Sequence, residues 1–265
     1  MKHTRFAVTI LLLTLLLGSC SNRISSDPKL LKDLAYKPGA EESGCTIQLH
    51  EQNGFVPYLV LTDDYSDNGC CLLLRCSPLE EEREFNENGR SSGYYANSAI
   101  DRFLSDCFGD TLSDCLQDHL LPIAIEITSK ESLWGNDGQT ESIERRIFLL
   151  SVYEVSGHSS STQLKEGKPL AFFESDERRA ACSEAGKACS WWLRTPNIWY
   201  DNLVYAVNPE GIVDVGGVSH SGKPSECGVR PAFCLASELE IVSINGQFYL
   251  LGDTPPQDTI SLSAP

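Results

Sequence analysis

The stretch that decides how this chain folds is Trp191-Trp192-Leu193-Arg194-Thr195-Pro196. It runs into Asn197-Ile198-Trp199-Tyr200-Asp201-Asn202 and is answered downstream by Cys227-Gly228-Val229-Arg230-Pro231-Ala232-Phe233. Side chains alternate between the two faces of a strand, so one of the neighbours Trp191 and Trp192 is expected in the core and the other outside it or beneath a loop. Trp192 and Arg194 are assigned to the buried framework. Arg230 lies between Val229 and Pro231, a setting in which an arginine is more often paired with a buried carboxylate than offered to a ligand. Between the two motifs the composition changes. Asn197, Trp199, Tyr200, Asp201, Asn202, Asn208, Asp214, Ser219, His220 and Ser221 combine rigid aromatic groups with short polar ones, the mixture that gives antibody loops contact area at low entropic cost. Ligand contacts are expected among them.

Working outward, Tyr58 to Thr62 and Cys70 to Cys76 are apolar runs separated by an acidic loop that ends in Asn68-Gly69, a pair suited to the positive φ angles of a hairpin turn. The loop is not an EF-hand, because Leu74 stands where the bidentate glutamate would be needed. Asn97 to Phe108 places Ile100, Phe103, Leu104 and Cys107 at helical spacing behind a Ser98/Asp101 cap; a second helix is expected over Leu112 to Leu120. Strands are expected at Ile123 to Thr128, Ile147 to Val155, Leu203 to Val207, Ile212 to Val215, Val229 to Leu235, Leu239 to Ile244 and Gln247 to Leu251, with Asn245-Gly246 turning the last pair. Tyr205 and Val207 are assigned to sheet packing. The pattern predicts an α+β domain with a mainly antiparallel sheet and two helices in its first half.

The W-W-L-R-T-P opening at 191–196 and the G-V-R-P-A closing at 228–232 resemble a family of bacterial surface domains of unknown function. The likeness extends through Tyr58 to Arg75, the helix beginning at Asn97, and Ile143 to Tyr153. That family looks similar to the C-type-lectin-like domains related to formylglycine-generating enzymes, some of which are variable proteins of diversity-generating retroelements. The resemblance implies a C-type-lectin-like fold in which Trp192, Leu193, Arg194, Gly228, Val229 and Arg230 are framework and the stretch between them presents a binding face. It also allows one enzymatic reading, a copper-dependent oxidase using paired cysteines, for which Cys227 and Cys234 are the late pair.

At the other end of the chain, Lys2 and Arg5 precede an apolar or small stretch from Ala7 to Leu17, followed by Leu17-Gly18-Ser19-Cys20. The apolar run is about half the ~20 residues that span a membrane and has the length of a signal-peptide core. The four residues ending in Cys20 resemble the bacterial lipobox, whose cysteine receives diacylglycerol. Residues 1–19 are therefore expected to be a lipoprotein signal peptide, and Cys20 the lipidation site. Residues 20–44, which contain Pro28, Pro38 and Gly39 with little periodicity, are expected to be a tether. Residues 45–252 form the domain and residues 253–265 a frayed tail.

The formal net charge is −16, and removing Lys2 and Arg5 takes it to −18. Such a chain repels nucleic acid and anionic headgroups unless a basic patch intervenes, and none is evident. Of eleven cysteines, Cys20 is assigned to lipid. Some of the other ten are expected in disulfides, given an oxidising compartment. Zinc is disfavoured, since there is no C-x-x-C pair and there are only five histidines. No cofactor is expected. A structural calcium ion is the one considered, but Trp134-Gly135-Asn136-Asp137 lies far upstream of where a calcium motif belongs, and Asn208-Pro209-Glu210-Gly211 reads as a turn. There is no nucleophile elbow, P-loop, dinucleotide fingerprint or H-E-x-x-H helix. The sequence thus points to a membrane-anchored extracytoplasmic lipoprotein of the bacterial cell envelope, with a lectin-like domain for an extracellular protein or glycan. The alternative is an exported enzyme, an oxidase of the formylglycine-generating type or a hydrolase.

Overall fold

The structure is a computed structural model that describes residues 29–86, 93–135, 138–200, 202–214, 218–219 and 227–255. In chain order its strands are β1 (Lys29–Leu30), β2 (Thr46–Glu51), β3 (Gly54–Thr62), β4 (Cys70–Arg75), β5 (Ile123–Thr128), β6 (Thr140–Arg145), β7 (Ile147–Phe148), β8 (Ala181–Cys182), β9 (Ala188–Pro196), β10 (Leu203–Val207), β11 (Val218–Ser219), β12 (Cys227–Gly228), β13 (Ala232–Ala236), β14 (Glu240–Ile244) and β15 (Gln247–Leu250). The α-helices are short: α1 (Ala99–Phe103), α2 (Asp114–His119), α3 (Val152–Ser156) and α4 (Asp176–Arg179). The larger sheet has the order β1-β14-β15-β2-β3-β4-β13-β7, a smaller one runs β11-β10-β9-β12 with β8 also on β9, and β5-β6 is a separate hairpin. Pairing is antiparallel except at β15-β2 and β12-β9. The molecule is thus mixed α/β with mostly antiparallel sheets and few helices.

Most local signals act as their chemistry predicts, but Asn68 in the β3–β4 loop does not: its φ is −106°, and the positive φ angles there fall on Ser66, Asp67 and Gly69. Asp64 and the residues after it turn β3 into β4, Asn245-Gly246 turns β14 into β15, and both central residues of that last turn have positive φ. Ser98 caps α1 by accepting from the Asp101 N–H, while Asp101 accepts from the Asn97 N–H. The helix expected to reach Phe108 stays α-helical only to Phe103, then widens into a π turn over Leu104–Phe108.

Several expectations are corrected. The strand expected over Ile147 to Val155 stops at Phe148, and α3 begins after Ser151. The Ser151 hydroxyl accepts from the Glu154 N–H, and the Glu154 carboxylate accepts from the Ser151 N–H. This capping box satisfies two amides that a strand would have to pair elsewhere. Ile212 to Val215 is no strand among its described residues: Asn208 Oδ1 accepts from the amides of Glu210 and Ile212, and only Val213 bridges back to Val207. The strand expected from Val229 starts at Ala232, beyond Pro231. The packed structure also reaches upstream of the boundary expected at residue 45. Leu31, Leu34, Ala35 and Tyr36 are buried, Leu31 donates to the Leu239 carbonyl, and Tyr36 meets Phe172 edge-on at 5.3 Å. Asp253, expected in the tail, accepts from the Ser113 hydroxyl.

Of the two placements left open for the second tryptophan, outside the core or beneath a loop, the structure has the latter: Trp191 and Trp192 are both completely buried. The Trp191 indole N–H donates to the Arg179 carbonyl and its ring faces Phe173 and the Arg230 guanidinium. Trp192 donates to the Arg83 carbonyl and packs against Phe85 at 5.7 Å. The sheet containing β9 is therefore covered on both sides, by the segment around α4 and by the loop around Phe85. The same holds for β4, all of whose residues are buried, so Cys70 and Cys71 point to opposite faces and both enter the core.

Candidate functional site

The site is built on a buried ionic core. Arg194, near the end of β9, donates from Nη1 and Nη2 to the two carboxylate oxygens of Glu154 (2.7 and 3.0 Å), and also to the carbonyls of Leu149 and Glu126. Arg194, Glu154 and Glu166 are all fully buried. The Glu166 carboxylate accepts from the Thr128 amide and hydroxyl and from the Thr195 hydroxyl. Burial pushes the Glu166 carboxyl above its ordinary value, against the opposing pull of Arg194 and these hydrogen bonds. The Tyr65 hydroxyl completes the set by donating to Glu154. The network ties β9 to α3, to β5 and to the β3–β4 turn, so the end of β9 is held from three directions.

Beyond Pro196 this rigid strand becomes a loop, and Asn197 shapes it. Only 3% of Asn197 is exposed; its Oδ1 accepts from the amides of Trp199 and Tyr200, and its side chain also hydrogen-bonds the Tyr205 hydroxyl. Asn197 is therefore framework, correcting its assignment as a ligand contact: its polar atoms are consumed in closing the turn. The turn lifts Trp199 and Tyr200 outward, where they are 49% and 60% exposed. The Trp199 indole N–H donates to the Ser161 carbonyl at 2.7 Å, which fixes the ring plane. Its six-membered ring lies on Gly135, where an added Cβ would come within 2.5 Å of it. Gly135 also donates to the Ile198 carbonyl, which brings Trp134, 60% exposed, beside the same loop. Trp134 is a site residue that sequence reasoning missed. Its only signal was the incidental Trp-Gly pair, and nothing local relates residue 134 to residue 199.

Of the other expected contacts, Asn202 is exposed on this loop and Ser219 lies opposite Leu203 in β11. Asp214 is attached farther along the sheet, its amide donating to the Ala206 carbonyl, three residues, roughly 10 Å, along β10 from Leu203, while its charge acts on the Tyr205 hydroxyl that Asn197 holds. Asp201, His220, Ser221 and Cys20 lie outside the described residues.

Trp192, Arg194 and Gly228, assigned to the framework, are buried. A Cβ on Gly228 would come within 2.6 Å of Pro78, so only glycine permits this approach. Arg230 is buried but has no carboxylate partner among the described residues. Its Nε donates to the Arg75 carbonyl, its guanidinium lies 4.9 Å from the Trp191 ring centroid, and Nη1 has no hydrogen-bond partner among the described residues. Burial pushes Arg230 down to about 10, still protonated at neutral pH. Here an aromatic face takes the place of the expected carboxylate.

The model of one family, described as Domain of unknown function (DUF6273), matches residues 59–237. The chain belongs to this family. No curated protein and no solved structure matches it. The DUF6273 span runs from β3 to just past β13, so it contains both the ionic core and the aromatic face.

Two further features of the DUF6273 domain bear on chemistry. None of the ten cysteines among the described residues of the chain is at disulfide-bonding distance from another. Cys227 and Cys234, the late pair, belong to different sheets. Cys71, whose thiol burial pushes up to about 12, acts as a small apolar residue inside the core. A polar cleft of about 640 Å³ lies between α1, α2 and β6, lined by Arg102, Asp106, Asp110, Gln117, Glu144 and Arg146 among others. At its wall Arg145 is held bidentately by Asp101. Among the described residues no group of three or more His, Cys, Asp or Glu is placed to hold a metal ion, and no helix is long and apolar enough to cross a membrane.

Proposed function

We propose that this DUF6273 protein is a lipid-anchored, extracytoplasmic binding protein of the bacterial cell envelope, and that Trp134, Trp199, Tyr200 and Asn202 contact its ligand, an extracellular protein or glycan. The observation that carries this reading is three large aromatic side chains exposed together on loops whose supporting residues are buried. Isolated exposed apolar residues are ordinary, but aromatics held rigidly on adjoining loops match the anchors of binding interfaces. The placement of this face directly after β9, between the buried motifs at 191–196 and 228–232, supports a C-type-lectin-like arrangement. Cys20, following a short apolar stretch, supplies the anchor in this reading.

Replacing Trp134, Trp199 and Tyr200 together with alanine should leave the fold in place, since surface substitutions usually change stability by about ±0.5 kcal/mol. The same variant should lose the wild-type hits on an array of glycans and envelope or host surface proteins. A folded variant that keeps every hit would place the binding face elsewhere. For the anchor, Cys20→Ala should abolish incorporation of a labelled fatty acid in the producing cell, and undiminished label would refute it.

A further inference from the structure

The aromatic face has a charge environment of its own. Gly93 packs at the base of the aromatic loop, where an added Cβ would lie 3.0 Å from Pro196 and 3.1 Å from Val204. The next residue, Tyr94, donates its hydroxyl to Glu141 at 2.6 Å. The charge of Glu131 also reaches that hydroxyl, and Glu131 belongs to the same turn as Trp134 (Lys130–Gly135). Glu131 thus stands three residues before Trp134 in one turn, and both carboxylates act on Tyr94, as does the Arg145 cation in the opposite sense, in a chain whose formal charge is −16. The rings themselves are open to cations. Elsewhere in the fold lysine and arginine lie over Phe248, Phe103, Tyr153, Tyr36, Phe172 and Trp191, but among the described residues none covers Trp134, Trp199 or Tyr200. Trp199 has moreover committed its N–H to Ser161, so what it offers a partner is the electron-rich face of the indole.

We propose that this face docks a lysine- or arginine-rich segment of another protein, with the cationic side chains over Trp134, Trp199 and Tyr200 and the flanking charge supplied by Glu131 and Glu141. The proposal rests on the reading that the aromatic face is the binding face, and names the class of its partner. Aromatic rings attract cations through their quadrupole, and a surrounding acidic field raises both the encounter rate and the discrimination against anionic competitors. A neutral sugar would gain from the rings and nothing from the carboxylates, and a polyanion would be repelled. The exposure of the rings favours an extended polypeptide over a small ammonium compound, which gains most from an enclosing pocket.

The test uses the exported chain, immobilised and titrated with an acetylated peptide of alternating lysine and glycine, the corresponding glutamate and glycine peptide, and cellohexaose. The lysine peptide should bind, more weakly as salt is raised, and the glutamate peptide should not. Trp134→Ala and Trp199→Ala leave the net charge unchanged and should each weaken lysine-peptide binding about threefold to thirtyfold. Glu131→Gln with Glu141→Gln should weaken it more than Glu80→Gln with Glu82→Gln, which removes equal charge elsewhere on the surface. Circular dichroism confirms that each variant is folded. Lysine-peptide binding that ignores both tryptophan substitutions would reflect net charge alone and overturn the proposal, as would failure of that peptide to bind. Tryptophan-dependent binding of cellohexaose without the lysine peptide would also overturn it, while leaving the aromatic face as the binding face.

Discussion

Replacing Arg194 with methionine should destabilise the domain by about 3–5 kcal/mol, because it leaves buried carboxylate charge without its cation. Arg194 and its partner Glu154 are both fully buried, and Glu166 lies 3.8 Å from the guanidinium. Methionine would also abandon the buried carbonyl of Leu149, a cost of its own, and the half-buried carbonyl of Glu126. Lysine should rescue little, since Nε, Nη1 and Nη2 all donate in a planar fork that an ammonium cannot reproduce. The loss should depend on pH in a definite direction. The Glu166 carboxyl is raised above 4.5 in the folded chain, so its contribution to stability is fully present below that value and declines as pH rises through the folded value. Without Arg194 the carboxylates must be ionised unaided, so the gap between variant and wild type should be widest at neutral pH and narrow as pH falls. Urea denaturation at several pH values measures this; a loss below about 1 kcal/mol, or one that grows on acidification, would show that the arginine does not hold the core together.

Trp191→Ala and Trp192→Ala should each cost about 3–5 kcal/mol, the range for truncating a buried large aromatic side chain. If β9 had one solvent face, as a two-layer strand would, one of the two substitutions would be nearly silent. Here the Trp191 ring is enclosed by Phe173 and Arg230, and Trp192 by Phe85, with each indole N–H paired to a carbonyl. Trp191→Ala removes in addition the aromatic face beneath the Arg230 guanidinium, which has no carboxylate partner among the described residues, so it should be at least as damaging as Trp192→Ala. Typical domains have only about 5–15 kcal/mol to lose, so either variant should show a marked drop in urea midpoint. Near-wild-type stability of Trp191→Ala would mean that one side of the smaller sheet is uncovered. Trp199→Ala, made beside them, should stay within about 0.5 kcal/mol of wild type.

The contrast among these tryptophans shows where sequence reasoning succeeds. Asn245-Gly246, the Ser98 cap and the apolar spacing of Leu112, Leu116 and Leu120 act within a few residues of themselves, and their elements appear where local chemistry places them; the hairpin expected at Asn68-Gly69 also forms, but through the turn at Tyr65–Asp67. The Ser151-Val152-Tyr153-Glu154 capping box was equally local. It is masked in the sequence because the apolar run from Ile147 to Val155 suits a strand as well as a helix. Exposure of Trp199 and Tyr200 also follows from their place among small polar residues after a proline.

Other properties have no local cause. Whether Trp191 and Trp192 are both buried depends on a second layer supplied by residues 171–179 and 79–86. Whether Arg230 meets a carboxylate or an indole depends on what packs above it, and whether cysteines pair depends on which sheets receive them. The binding face itself joins Trp134 to Trp199 across 64 intervening residues, through one glycine whose missing side chain makes room for an indole ring. Turns, caps and periodicity are written in neighbouring residues because the forces behind them act within a few bonds of the chain. Layers, charge partners and composite sites arise from packing between distant segments, and no short stretch of sequence carries that information.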